Sequence, residues 1–81
     1  MTTATLQQTP LGLSATEERI AELVATGSSN REIAECLYLS RHTIEAHLTH
    51  IFTKLRLRSR VDLAVLMVRR EMSAVSHGLS L

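Results

Sequence analysis

Three capping boxes restrict what this chain of 81 residues can fold into. Each box is a serine followed three residues later by an acid. The serine oxygen can accept a hydrogen bond from an N–H of the first helical turn, and the acid can accept one from the N–H of the serine. Ser40 is a further expected N-cap that lacks the acid. We therefore expect helices to begin at these serines, the boxes being Ser14 with Glu17, Ser29 with Glu32, and Ser59 with Asp62.

The apolar residues after these starts follow the helical period. The first helix is expected to end at Gly27, which can adopt the left-handed conformation. No stretch alternates with the period of two that is typical of a strand. The sequence therefore predicts an all-α fold of four helices. The apolar residues expected to face the core from the first three are Ile20, Leu23, Val24, Ile33, Ala34, Leu37, Ile44, Leu48, Ile51, Phe52 and Leu55.

The predicted domain covers residues 13–72. Residues 1–12 carry no charge and contain the only proline, which indicates a flexible tail or linker. Residues 73–81 are predicted to form a second flexible tail. Within the domain, the second helix, a short turn and a helix at about 41–55 make a helix-turn-helix without a wing. The fourth helix is expected at about 60–72.

Several functional classes are excluded by composition. One cysteine, Cys36, cannot form an intrachain disulfide, and it fits a reducing compartment and a half-buried position. No signal peptide and no apolar run of about 20 residues is present, so we expect a cytoplasmic protein without a membrane segment. His47 and His50 with Cys36 or His42 do not make a closed zinc site. The serines are explained as caps, and three glycines offer little for a phosphate loop. We expect no enzyme activity, metal or cofactor.

The net charge of +1 hides an uneven distribution. Residues 13–40 contain five acids and two bases, whereas residues 41–60 contain five bases and one acid. A local basic face favours binding of a polyanion. Charge alone leaves open the alternative that this segment is only a solvated helical face.

The third helix is the predicted recognition element. About 15 residues at 1.5 Å each fit a major groove about 12 Å wide. Arg41 and Thr43 stand at its start, where side chains and free N–H groups can contact phosphate. Past its end, Arg56, Arg58 and Arg60 suit the flanking backbone. With the apolar stripe turned inward, the positions expected to face the bases are His42, Glu45, Ala46, Thr49 and Thr53.

The fourth helix is apolar on nearly every side from Val61 to Val68. Such a helix usually needs a buried environment, which a second copy of the chain can supply. We therefore expect a homodimer, with Leu63, Leu66 and Met67 at its interface. The alternative is that these are scattered surface residues, which are common.

From Leu13 to Met67, the chain resembles the LuxR-type helix-turn-helix domain of bacterial transcriptional regulators, the group that includes LuxR-, GerE- and NarL-like proteins. The resemblance rests on Leu13-Ser14-x-x-Glu17, on residues 25–34, on residues 37–55 and on Arg60 with Ala64. It implies a four-helix domain that binds double-stranded DNA, dimerises through its last helix and recognises repeated sites near promoters. It also brings Asn30, Arg31 and Lys54 into the predicted DNA-binding set. Because most relatives carry a sensor domain, the chain is expected to be freestanding or an excised C-terminal domain.

Two positions on the expected base-facing side of the third helix depart from this family pattern, and Thr16 stands where relatives usually carry arginine. Glu45 and Thr49 stand where relatives usually carry basic residues. We expect altered specificity or weaker affinity for DNA. The rival hypothesis is a protein-interaction module on the same fold, which binds another regulator or RNA polymerase instead of DNA.

Overall fold

The chain is seen in a computed structural model that describes residues 11–79, with side chains described for residues 11–72. All regular elements in this range are α-helices, which confirms the predicted all-α class. The helices are α1 (Ala15–Ala25), α2 (Asn30–Leu37), α3 (Arg41–Leu55) and α4 (Arg60–Leu79). None of the described helices is long and apolar enough to cross a membrane.

The predicted caps begin these helices. Ser14 and Glu17 form the complete reciprocal box, with bonds of 2.9 and 3.1 Å. Ser29 and Glu32 form the second box in the same way, and Ser40 Oγ accepts from the N–H of Thr43 at 3.0 Å. These contacts satisfy N–H groups that have no partner inside the helix.

The box before α4 differs from the prediction. Ser59 Oγ accepts from the N–H of Asp62 at 3.2 Å, as expected. The Asp62 carboxylate, however, accepts from the N–H of Arg58 at 3.2 Å, one residue before the predicted donor. Its side chain is one methylene shorter than the glutamates of the other two boxes. The contact still stabilises the loop that leads from α3 into α4.

Two helix ends adopt the left-handed conformation without glycine. Gly27 has the expected positive φ of 89°, but Tyr38 and Arg56 also have φ of 57° and 56°. At the end of α2, the N–H groups of Tyr38 and Leu39 both donate to the carbonyl of Ala34. These bonds satisfy a terminal carbonyl and close the turn between α2 and α3. The turn therefore depends on hydrogen bonding rather than on glycine.

The core is built from all four helices. Helix α4 packs mainly on α1, and α3 packs on α2 and α1. The inward stripe of α3 is as predicted, since Ile44, Leu48 and Ile51 are buried and Phe52 and Leu55 pack against the core. The other buried apolar residues are Leu13, Ile20, Ala21, Val24, Ile33, Ala34, Leu63 and Met67.

The predicted ends of the folded region need correction. Leu11, assigned to a tail, packs against the core. At the other end, α4 continues past Met72 to Leu79, so most of the predicted tail at 73–81 is helical. The rest of both predicted tails, residues 1–10 and 80–81, lies outside the described residues.

An ion pair joins the start of α1 to the end of α3. Glu17 is only 5% exposed, and its Oε1 accepts from the N–H of Ser14 at 2.9 Å and from Lys54 Nζ at 2.6 Å. Burial raises the pKa of the Glu17 carboxyl, but the hydrogen bonds and charge of Lys54, with the hydrogen bonds of Ser14, outweigh it. The pKa of Glu17 therefore lies below its ordinary value of 4.5.

Glu17→Gln is expected to lower the free energy of unfolding at pH 7 by about 1–2 kcal/mol, since the half-exposed Lys54 keeps part of its hydration. A carboxyl whose pKa is depressed by folding adds stability above its unfolded pKa, and this stability is lost as pH falls through the folded pKa. Urea unfolding between pH 7 and pH 3 should thus show that the free energy of unfolding falls less steeply with decreasing pH for the variant than for the natural chain. Glu22→Gln, at an exposed pair with Arg19, should leave the slope unchanged. Equal slopes for natural chain and Glu17→Gln would contradict this assignment.

Candidate nucleic-acid interface

Helices α2 and α3, joined by residues 38–40, form the predicted helix-turn-helix. The 15 residues of α3 extend for about 22 Å. Its inner stripe is held in the core by α1 and α2, so its opposite face is fixed at the surface. The structure places the following predicted DNA-facing residues on exposed positions: Arg41, His42, Glu45, Ala46, Thr49 and Thr53.

The threonines of α3 have engaged hydroxyl groups. Thr49 Oγ1 donates to the carbonyl of Glu45 at 3.1 Å, and Thr53 Oγ1 donates to the carbonyl of Thr49 at 2.9 Å. These two exposed side chains therefore offer a methyl group and oxygen lone pairs to a partner, but no free donor. Thr43 is half-buried, and its Oγ1 lies 2.9 Å from Ser40 Oγ at the cap.

Glu45 is the exposed acid of this face. Its carboxylate forms no ion pair or hydrogen bond with any residue in the part of the chain whose side chains are described. Arg41 lies one turn earlier on the same helix, yet no ion pair joins the two within that range. The carboxylate is thus available to a donor from outside the chain.

Several residues of the predicted DNA-binding set form contacts within the chain. Lys54 is paired with Glu17. Arg60 donates from Nη1 to Asn30 Oδ1 at 2.6 Å and from Nη2 to the carbonyl of Ser28 at 2.5 Å. These bonds tie the start of α4 to the start of α2, so Asn30, Lys54 and Arg60 help to position the helices, and their contact with DNA stays a prediction. Arg31 forms an exposed pair with Glu35 at 3.5 Å.

Most arginines without a side-chain partner lie around α3. Among residues 11–72, no ion pair or side-chain hydrogen bond engages Arg41, Arg56, Arg58 or Arg69. Arg41 begins α3, while Arg56 and Arg58 follow its end. Both ends of the exposed face of α3 therefore carry guanidinium groups that are free to bind anions.

Cys36 and the three histidines of α3 carry the thiol and imidazole groups of helices α2 and α3. Residues 11–72 contain no group of three or more His, Cys, Asp or Glu side chains placed to hold a metal. His47 is half-buried beside the core stripe. Cys36 is exposed rather than half-buried as predicted, because α2 turns Ile33 and Ala34 inward.

The exposed apolar face of α4 differs from the predicted one. Leu63 and Met67 are 0% and 6% exposed within a single chain, so they cannot supply a dimer interface, and Leu66 is half-buried. The predicted interface role of Leu63 and Met67 is corrected, because packing on α1 buries both side chains, whereas that of Leu66 stays a prediction. The exposed stripe, which we call the valine stripe, has the helical spacings of four, three and four residues. It consists of Val61, Val65, Val68 and Met72, which are 69%, 44%, 43% and 63% exposed.

Comparison with known proteins agrees with this architecture. The family described as "Bacterial regulatory proteins, luxR family" matches residues 11–67 of the chain. An HTH-type transcriptional regulator of Mycobacterium bovis is 45% identical over 58 residues, which cover 72% of this chain and 7% of that protein. The oxygen regulatory protein NreC of Staphylococcus aureus is 45% identical over 60 residues, which cover 74% of this chain and 28% of NreC. The chain thus spans less than a third of either relative.

Proposed function

This chain belongs to the luxR family of bacterial regulatory proteins, and from that premise we propose that it binds repeated DNA half-sites as a homodimer with α3 in the major groove. The family makes it a DNA-binding domain in the regulation of transcription.

The free arginines at the two ends of α3 support the proposed docking. Most other arginine and lysine side chains of residues 11–72 have intramolecular partners. Arg41, Arg56 and Arg58 are left to contact phosphates on either side of the groove, while the face between them meets base edges. Phosphate contacts of this kind supply a large part of the affinity of DNA-binding proteins.

The valine stripe supports the proposed homodimer. Four apolar side chains of α4 lie on one exposed face, and a second copy can cover them by the same face in a two-fold arrangement. A two-fold dimer presents two copies of α3 to DNA, which would read two half-sites.

One observation favours the second candidate, a protein-interaction module on the same fold. Glu45 places a negative charge in the exposed face of α3, where it would repel phosphate. A partner protein such as another regulator or RNA polymerase could use this acid. The two candidates differ in salt dependence, because replacement of counterions by protein gives DNA binding a steep dependence on salt.

Arg41→Ala and Arg58→Ala are expected to weaken DNA binding to all sequences. Each should reduce the slope of log affinity against log salt by about one for every phosphate that the arginine neutralises. The measurement is fluorescence anisotropy of the 81-residue chain on a labelled pool of genomic duplexes, titrated from low to physiological salt.

Arg19→Ala is the matched control, because it removes the same charge from α1 at an exposed pair with Glu22. It should leave the slope as it is in the natural chain. Equal effects of all three substitutions would contradict the proposed docking. The absence of binding at low salt, with a folded sample, would favour the protein-interaction module.

A further inference from the structure

We infer that α3 selects a cytosine with a thymine close by on the half-site, through the Glu45 carboxylate and the methyl groups of Ala46 and Thr49. The inference rests on the proposed function, because it requires α3 to enter the major groove.

The exposed face of α3 lacks the side chains that usually recognise purines. Guanine is read mainly by arginine or lysine, and adenine by asparagine or glutamine. Residues 42–53 contain none of these four types. The hydroxyls of Thr49 and Thr53 already donate to the helix backbone, so they do not replace those donors. Glu45, Ala46 and Thr49 present an acceptor and methyl groups, and the exposed imidazoles of His42 and His50 lie beside them on α3.

The Glu45 carboxylate requires a donor when it enters the groove. In water it is hydrated, and it has no partner among the described side chains. Docking removes part of that hydration, and an unpaired carboxylate then costs binding free energy. Cytosine presents its N4 amino group as a donor in the major groove, whereas guanine and thymine present acceptors there. Adenine offers a donor beside its N7 acceptor, which would face the carboxylate unfavourably.

The methyl groups near Glu45 match the methyl group of thymine. Ala46 is exposed, and Thr49 turns its hydroxyl toward the carbonyl of Glu45. Alanine and the threonine methyl are suitable contacts for the C5-methyl of thymine. Glu45 and Thr49 are separated by about 6 Å along the helix, which is about two base steps of 3.4 Å. The thymine should therefore lie within about two base pairs of the cytosine.

The test is selection of preferred duplexes from a random pool with the full 81-residue chain, followed by anisotropy on the selected site. We expect a cytosine at one position, preferred about tenfold over other bases. Glu45→Gln should transfer this preference to adenine, which glutamine reads, and Glu45→Ala should abolish it. Glu71→Gln is the matched control, since it removes an exposed carboxylate of α4 and should leave the preference intact.

Replacement of the thymine by uracil tests the methyl contact. Loss of one buried methyl group should weaken binding about fourfold. Thr49→Val keeps a methyl group and should retain this sensitivity, whereas Thr49→Ser lacks it and should show a smaller difference between thymine and uracil.

The outcomes separate the inference from the proposed function. A defined site whose cytosine preference is the same for the natural chain, Glu45→Gln and Glu45→Ala would overturn the inference and leave the proposed function standing. A uniform rise in affinity for every sequence in the Glu45 variants would also overturn it, because the carboxylate would then act by repulsion alone. Failure to bind any duplex at low salt would overturn both.

Discussion

Replacement of Leu63 by alanine should lower the free energy of unfolding by about 2–5 kcal/mol, which is the usual loss when a buried leucine is truncated. Leu63 is 0% exposed and lies where α4 packs on α1. A chain of this length has a total stability of about 4–12 kcal/mol. The substitution is therefore expected to remove a large part of the free energy of unfolding and to move the unfolding midpoint to a clearly lower urea concentration. Urea unfolding followed by far-ultraviolet circular dichroism measures the loss directly.

The matched control for Leu63 is Val61, on the exposed side of the same helix. Val61→Ala creates no cavity and should change the free energy of unfolding by about 0.5 kcal/mol or less at a protein concentration that keeps the chain monomeric. Similar losses for both substitutions would show that α4 does not use Leu63 as its core contact.

Local features of this fold could be predicted from the sequence because they depend on residues three or four positions apart. The capping boxes at Ser14 and Ser29 and the inward stripe from Ile44 to Leu55 are of this kind. The helix itself brings a capping serine close to the acid three residues later, and it places apolar residues one turn apart on the same face. Neither arrangement requires the rest of the fold. Exposure of the face opposite the stripe followed from the same period.

The orientation of α4 could not be predicted in this way. An apolar residue stands at nearly every position from Val61 to Val68, so several stripes satisfy the helical period equally well. Contact with α1 selects the stripe of Leu63 and Met67 for the core and leaves Val65 exposed. This choice depends on tertiary packing, which local periodicity does not contain.

The intramolecular partners of Lys54 and Arg60 could not be predicted from the sequence either. Lys54 pairs with Glu17 from 37 positions away, and Arg60 contacts Asn30 from 30 positions away. A sum of charges over residues 41–60 counts these cations with Arg58, which has no side-chain partner among the described residues. The folded structure therefore distinguishes cations that have a partner within the chain from those, such as Arg58, that have none among the described side chains.

Val65→Lys is expected to convert the proposed homodimer into a folded monomer. Val65 lies inside the valine stripe and is 44% exposed in a single chain, so lysine can be accommodated without disturbing the core. In a two-fold dimer the new ammonium groups would approach one another and desolvate at an apolar interface, which is unfavourable. Size-exclusion chromatography with light scattering measures the mass, and circular dichroism establishes that the helices remain.

The same substitution separates dimerisation from DNA contact. Linked recognition of two half-sites raises affinity by about 10²–10⁴-fold over recognition of one half-site. The affinity of Val65→Lys for a duplex with two half-sites should therefore be at least about a hundredfold lower than that of the natural chain. On a duplex with one half-site its affinity should change little. Lysine adds positive charge, which favours DNA binding, so electrostatic repulsion cannot explain a loss. Thr16→Lys adds the same charge at an exposed position of α1 and should bind both duplexes at least as tightly as the natural chain does. An unchanged mass and unchanged affinity for Val65→Lys would remove the valine stripe from the dimer interface.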